Sequence, residues 1–215
     1  RYVSVTGVQT CALPILRIIS GQWRGRKIAE PQGRDVTRPT TDRVREAMAS
    51  MVDSSLPQGI EGARVLDAFA GSGALGIEML SRGAAFAAFF DINRSAAALV
   101  RKNLESLCAP RSSYRVFCAD CLASAARGRI EGAPFDLVMV DAPYALGADP
   151  ATQLAESLVK SGLLASGALV LVEHAAADEG PRPDGFIVER EKRYGSTAVD
   201  LLRFDGSLTI EDIDR

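Results

Sequence analysis

The sequence predicts an α/β fold: a doubly wound, mostly parallel sheet closed by a C-terminal antiparallel hairpin, with a small N-terminal β-hairpin/helix extension. Three observations carry this. Five apolar runs alternate with segments of helical period, and strand–helix alternation implies parallel strands joined by crossover helices. These runs are continuously apolar rather than alternating, as in strands covered on both faces. The last two strand candidates are separated only by Gly195 and Ser196, which leaves no room for a helix, so they turn back on each other. Five parallel candidates and two hairpin strands make a seven-stranded sheet.

In chain order, residues 1–15 stand apart. "VTGVQTCALPI" (Val5 to Ile15) reads as the in-frame translation of a sequencing adaptor. Residues 1–15 share no period with the chain after Leu16 and lack the basic start and long apolar core of a signal peptide. We set them aside, with Cys11, as a non-native segment. "LRIISGQWRGRKIAEP" alternates and contains Gly21 and Gly25, which predicts a short strand pair. Pro31 and Gly33 open a loop through "RDVTRPTTD". From Asp42, the residues Val44, Ala47, Met48, Met51 and Val52 fall at helical spacing, with Thr41 or Asp42 as N-cap. Residues 16–57 thus form a basic hairpin and helix.

The sheet domain spans residues 58–205. "ARVLDAF" precedes a helix beginning near Gly73, "AAFAAFFD" a helix over 94–107, and "YRVFCAD" a short helix. "FDLVMVD" leads through a loop to a helix near 150–161, "GALVLVEH" gives a fifth strand, and "GFIVEREKRYG" with "TAVDLLRF" forms the hairpin. Residues 206–215 are an acidic tail.

A chain of 215 residues with 47% hydrophobic and 24% charged residues suits a single soluble domain. No apolar run approaches a membrane span. At this size the cysteines Cys11, Cys108, Cys118 and Cys121 do not suggest a secreted disulfide framework, which predicts a cytoplasmic protein. The net charge of −2 hides an asymmetry. Residues 16–45 carry eight basic side chains (Arg17, Arg24, Arg26, Lys27, Arg34, Arg38, Arg43, Arg45) against Glu30, Asp35 and Asp42. Such a segment suits a polyanion partner, and a merely solvated basic face is the competing reading.

"VLDAFAGSGALG" ends the first parallel strand in Asp67, followed by Phe69, Gly71, Gly73 and Gly76. G-x-G-x-x-G is by itself a weak signal. Glycines let the backbone approach a ligand, and the helix N-terminus favours electron-rich groups. An aspartate four residues before the first glycine is a poor neighbour for a pyrophosphate and a good one for a cation with an amino-acid end. Asp91 ends the second strand, twenty residues after Gly71, where a carboxylate can accept ribose hydroxyls. Asp120 ends the third, and either accepts from an adenine amino group or caps the next helix. Together these favour a sulfonium cofactor over a nicotinamide dinucleotide.

The fourth strand ends in Asp141-Ala142-Pro143-Tyr144. Ligands of open α/β sheets bind at this edge. An exocyclic amine on a nucleobase is a poor nucleophile because its lone pair is delocalised into the ring. Acceptors around its two N–H groups orient it toward a methyl donor. The Asp141 carboxylate and the Ala142 carbonyl are two such acceptors. Pro143 biases Ala142 toward an extended conformation, and Tyr144 offers a ring for stacking. Catalysis would then rest on positioning and electrostatics.

With these residues in place, the sequence resembles bacterial 16S ribosomal RNA (guanine-N2)-methyltransferases of the RsmD type. The resemblance spans residues 16–204 and rests on "LRIISGQWRGRKI", "TRPTTDRVREAM", "VLDAFAGSGALGIEMLSRGA", the D-A-P-Y stretch and "KRYGST". It implies a Rossmann-like class I methyltransferase fold and S-adenosylmethionine as cofactor, contacted by Asp67, Phe69, Gly71, Gly73, Asp91, Asp120 and Thr41. Asp141, Ala142, Pro143 and Tyr144 would form the target-base site. The partner implied is 16S rRNA, in the small ribosomal subunit or an assembly intermediate, with Arg24, Arg26, Lys27, Arg38 and Arg43 on the RNA and the enzyme a monomer. Two departures from the family pattern stand out. Ala142 occupies a position usually held by proline, which predicts slower turnover, and Asp91 one often held by glutamate.

Other candidates carry less. Cys118 and Cys121 form C-x-x-C without a second pair, and His174 is the only histidine, so a zinc site lacks ligands. His174 faces the functional edge as a structural or pocket residue. Trp23 packs the hairpin or stacks a base. Two other activities stay open: an adenine-N6 methyltransferase, and a catalytically weakened RNA-binding module.

Overall fold

The computed structural model describes residues 15–30, 42–142 and 150–206. The segments that contain Thr41, Arg38, Pro143, Tyr144, most of residues 1–15 and most of the acidic tail lie outside the described residues.

The N-terminal pair, β1 (Ile15–Arg17) and β2 (Lys27–Ala29), is antiparallel and forms its own two-stranded sheet. It begins one residue inside the segment set aside on sequence grounds. Helix α1 (Asp42–Ser55) follows. The main sheet comprises β3 (Arg64–Asp67), β4 (Phe86–Asp91), β5 (Tyr114–Cys118), β6 (Phe135–Val140), β7 (Leu164–Ala175), β8 (Phe186–Tyr194) and β9 (Thr197–Phe204). Its order is β5-β4-β3-β6-β7-β9-β8, parallel from β5 to β7 and antiparallel at both β9 ladders. This is the doubly wound sheet with a closing hairpin that the sequence predicts. The crossovers are α2 (Ala74–Ser81), α3 (Arg94–Ser106), α4 (Cys121–Ala126) and α5 (Pro150–Lys160).

Alternation within each strand divides the core into two layers. Leu137 and Met139 of β6 pack with α1, α2, α3 and the N-terminal hairpin, whereas Val138 and Val140 pack with α4 and α5. The hairpin order follows from composition. The strand beside β7 is β9, whose Val199, Leu201 and Leu202 are buried, while β8 carries Glu189, Arg190, Glu191, Lys192 and Arg193 and lies outermost. Charges on an exposed edge discourage pairing with another chain. β7 also runs longer than its apolar stretch, starting at Leu164 with a register shift before Leu169 opens the regular ladder opposite Leu137.

Buried polar groups dock the N-terminal hairpin. Glu78 of α2 is fully buried and accepts from the Ile19 and Ser20 N–H groups at 2.8 and 3.0 Å. Asn103 of α3 donates to the Ala29 carbonyl and accepts from its N–H, both at 2.9 Å. Asp42 at the start of α1 pairs with Arg17 and Arg45. Its partial burial opposes ionisation, but the hydrogen bonds and charges of the two arginines prevail and hold its carboxyl below the usual range. Trp23 is buried in the hairpin's contact with the main domain, so of its two sequence readings the packing one is realised.

Candidate active site

Three strands run out in aspartates, and the pleat puts all three on one side of the sheet. Asp67 lies opposite Phe89 of β4 and Met139 of β6. Side chains alternate, so Asp91 and Asp141, each two residues further on, point to the same face as Asp67. That face is the one covered by α1, α2 and α3.

The glycine loop follows β3 directly. Gly71 and Gly73 have φ of 55° and 79°, the left-handed region that glycine enters without steric cost, and Gly73 caps α2. The Gly71 N–H donates to Asp91 Oδ2 at 2.9 Å, and the Asn93 N–H to Asp91 Oδ1 at 2.8 Å. Asp91 therefore ties the loop to β4 and keeps lone pairs for further donors. Next to Asp91, Ile92 holds an apolar side chain 76% exposed.

Asp67 is buried at 3% exposure, and its Oδ2 accepts from the Gly76 N–H at 3.1 Å. Burial pushes its carboxyl up to about 7; the Gly76 hydrogen bond opposes this, and the charges of Asp141 and Asp91 reinforce it. Gly76 is required by close approach: a Cβ there would stand 2.3 Å from a Phe89 ring carbon and 3.0 Å from Asp67 Oδ2. Gly76→Ala is expected to destabilise the fold by about 1–3 kcal/mol through overpacking. Chemical denaturation would show it as a lowered midpoint with an unchanged slope.

The other sequence candidates divide. Phe69 and Ala142 are half-buried and pack on the opposite core layer. Asp120 is exposed and its Oδ1 accepts from the Ala123 N–H at 3.2 Å, so the helix-cap reading is realised. Cys121 is buried in the α4–α5 layer, where burial pushes its thiol far up, while Cys118 is exposed at the strand end. His174 continues the alternation of Val170 and Val172, facing away from the aspartate row; its Nε2 lies 3.5 Å from Asp200, which also pairs with Arg182. In the basic segment, Arg24, Lys27 and Arg43 are exposed. Arg26 is exposed as well, and donates to the Ser106 and Leu107 carbonyls at the end of α3, where a cation complements the helix dipole.

Sequence reading missed one acid. Glu173 follows Val172, the partner of Val140, so it lies on β7 level with Asp141 and on the same face. It is 8% exposed. The signal was present, because "GALVLV" is followed by an acid as the other four runs are.

Clustered carboxylates at the C-terminal edge suit a cationic ligand and repel a pyrophosphate. Asp67, held partly protonated chiefly by its burial and further by the charges of Asp141 and Asp91, is a group that a cation would stabilise in its ionised form. The donors and acceptors present therefore fit a ligand that combines a sulfonium, an ammonium and a ribose.

Comparison with known proteins agrees. Residues 16–203 match the family model described as "Conserved hypothetical protein 95". The chain is 39% identical over 187 residues to "Ribosomal RNA small subunit methyltransferase D" of Escherichia coli (strain K12), covering 86% of this chain and 88% of that protein. It is 33% identical over 194 residues to "Putative rRNA methyltransferase YlbH" of Bacillus subtilis (strain 168), covering 89% of this chain and 100% of the relative. Among solved structures, "Putative methyltransferase yhhF from Escherichia coli" aligns with a TM-score of 0.76 at 35% identity, over 90% of this chain and 100% of that one.

Proposed function

Because the chain belongs to the Conserved hypothetical protein 95 family, we propose that it transfers a methyl group from S-adenosylmethionine to the exocyclic N2 of a guanine in small-subunit (16S) ribosomal RNA. The observation that carries this is the position of Asp141: exposed at the end of β6, on the face and edge that hold Asp67, Asp91 and the glycine loop. The named relatives support the RNA substrate.

S-adenosylmethionine supplies an electrophilic methyl group on a sulfonium. Asp67, which accepts from Gly76, and the Gly71–Gly73 backbone would hold its amino-acid end; Asp91, which accepts from Gly71, would take the ribose hydroxyls, and the exposed Ile92 would pack on the adenine. Asp141 and the Ala142 carbonyl accept from the two N2 hydrogens and turn the amine's lone pair toward the methyl carbon. As the N2–C bond forms, the bond from the methyl carbon to sulfur would break and S-adenosylhomocysteine would leave as a neutral thioether; Asp141 would lie where the surplus N2 proton can depart, directly or through water. On the sequence reading Tyr144 would stack the base and Pro143 would restrain Ala142; both lie outside the described residues. The guanine is splayed out of its surroundings before transfer, and the protein acts as a cytoplasmic monomer on the small subunit or an assembly intermediate. No helix among the described residues is long and apolar enough to cross a membrane.

The test incubates the full chain with tritiated S-adenosylmethionine and small ribosomal subunits lacking guanine-N2 methylation, followed by digestion to nucleosides. The label is expected in N2-methylguanosine. Label in methyladenosine would replace guanine by adenine, and no label with cofactor still bound would leave an RNA-binding module.

Phosphate contacts come from exposed cations. Arg24→Ala with Lys27→Ala is expected to weaken RNA binding and flatten the slope of log affinity against log salt by about 1 or more. Arg26→Ala is expected to lower thermal stability with little change in that slope, since its guanidinium caps α3. An unchanged slope in the double variant would return Arg24 and Lys27 to the role of a solvated surface.

A further inference from the structure

We infer that Glu173 is a specificity-determining residue of this site, accepting the N1–H of the target guanine. This rests on the proposed guanine-N2 reaction.

Guanine presents two kinds of donor side by side on its Watson–Crick edge: the N1–H and the N2 amine. In the proposed reaction the amine's two hydrogens go to the Asp141 carboxylate and the Ala142 carbonyl. The N1–H then needs a third acceptor, beside Asp141 and on the same face. β7 is the strand next to β6 on that side, and the last registered pair is Val140 with Val172. One residue further along both strands stand Asp141 and Glu173. Neighbouring strands are separated by about 5 Å, and glutamate's extra methylene lets its carboxylate reach back over the gap.

The surroundings suit reading rather than anchoring by charge alone. Glu173 is 8% exposed, at the top of a strand whose inward residues Leu169 and Leu171 lie in the core. In such a place a carboxylate gains from every donor it meets and rejects a lone pair strongly. Adenine offers a lone pair at N1 where guanine offers a hydrogen. A carboxylate there admits guanine and excludes adenine. A carboxylate accepts up to four hydrogen bonds, so contacts that Glu173 makes within the protein leave capacity for one more.

The alternative is that Glu173 only braces the elements around it. The experiment separates the two by changing the substrate atom and the side chain together. The nucleotide labelled in the tritium experiment is replaced, by splinted ligation of 16S RNA, with guanosine or with 2-aminopurine riboside. The latter keeps the C2 amine but carries a lone pair at N1. The full-length enzyme is expected to methylate guanosine faster than 2-aminopurine by about tenfold or more, the scale of one good base contact. Glu173→Gln offers an N–H to that lone pair. Its guanosine-to-2-aminopurine ratio is expected to fall by about tenfold or more, with 2-aminopurine turnover no slower than in the parent enzyme.

A Glu173→Gln enzyme that slows both substrates alike, keeping the ratio, would overturn the inference and make Glu173 structural. So would a parent enzyme indifferent to the two bases, a result that stands even if the variant fails to fold. Parent enzyme that labels no guanine N2 at all overturns the proposed reaction, and with it this role. That arm is read first, before any variant.

Discussion

Asp141→Ala is expected to abolish methyl transfer, by about 100- to 1,000-fold or more, while S-adenosylmethionine binds almost as before. The magnitude is that of removing one preorganised polar partner from a reacting group in other enzymes. The separation of the two effects comes from the fold. Asp67 and Asp91 hydrogen-bond to Gly76 and Gly71, so the loop's shape does not depend on the carboxylate at position 141. Asp141 is exposed, and its removal opens no cavity. It also relieves Asp67 of a neighbouring negative charge, so the Asp67 carboxyl should titrate lower in the variant. Single-turnover kinetics and calorimetry of cofactor binding check the pair of claims. Loss of binding together with turnover would sink the role assigned to Asp141.

Asp67→Asn is expected to abolish cofactor binding and to reverse the usual penalty of a core substitution. Folded Asp67 titrates near 7 against an ordinary value of 3.8, so the folded chain holds a proton that the unfolded chain releases over that window. Stability contributed by this group is present below pH about 4, falls as pH rises toward about 7, and is lost above it. A shift of this size has a ceiling of about 4 kcal/mol. The asparagine variant lacks this slope and should melt higher than its parent at pH 8. The same titration governs the ligand. A cation binds the ionised carboxylate, so affinity should rise by up to about tenfold per pH unit below 7 and level off above it, with a proton released on binding. Thermal unfolding and titration calorimetry between pH 5 and 8 test both. Parallel pH profiles for parent and variant would show that Asp67 is not the group concerned.

Much of the sheet is legible because it follows local rules. Continuous apolar runs such as "FDLVMV" and "FAAFF" become the buried β6 and β4, and the short Gly-Ser connection forces β8 and β9 into a hairpin. The aspartates that close these runs were equally visible. The position of β9 beside β7 follows no local rule, although composition favours it: β9 has the apolar surface worth burying and β8 carries the charges. Arg26 shows a similar limit. Its place in a basic segment suggests phosphate, and only the packing of that segment against the end of α3 shows that its guanidinium also meets two carbonyls. Asp120 could cap or bind on spacing alone; its Oδ1 caps α4, and the exposed carboxylate keeps lone pairs for a ligand.

Local sequence was enough for the elements, the parallel run of crossovers, the glycine loop and the acids that end the strands, because turn chemistry and hydrophobic period act over a few residues. Which acids share a face was settled by strand pairing alone. Register and pleat are properties of paired strands, and a shift of one residue would turn each side chain to the other layer. That pairing brings Asp67, Asp91 and Asp141 together, sets Glu173 level with Asp141, and turns His174 away from them.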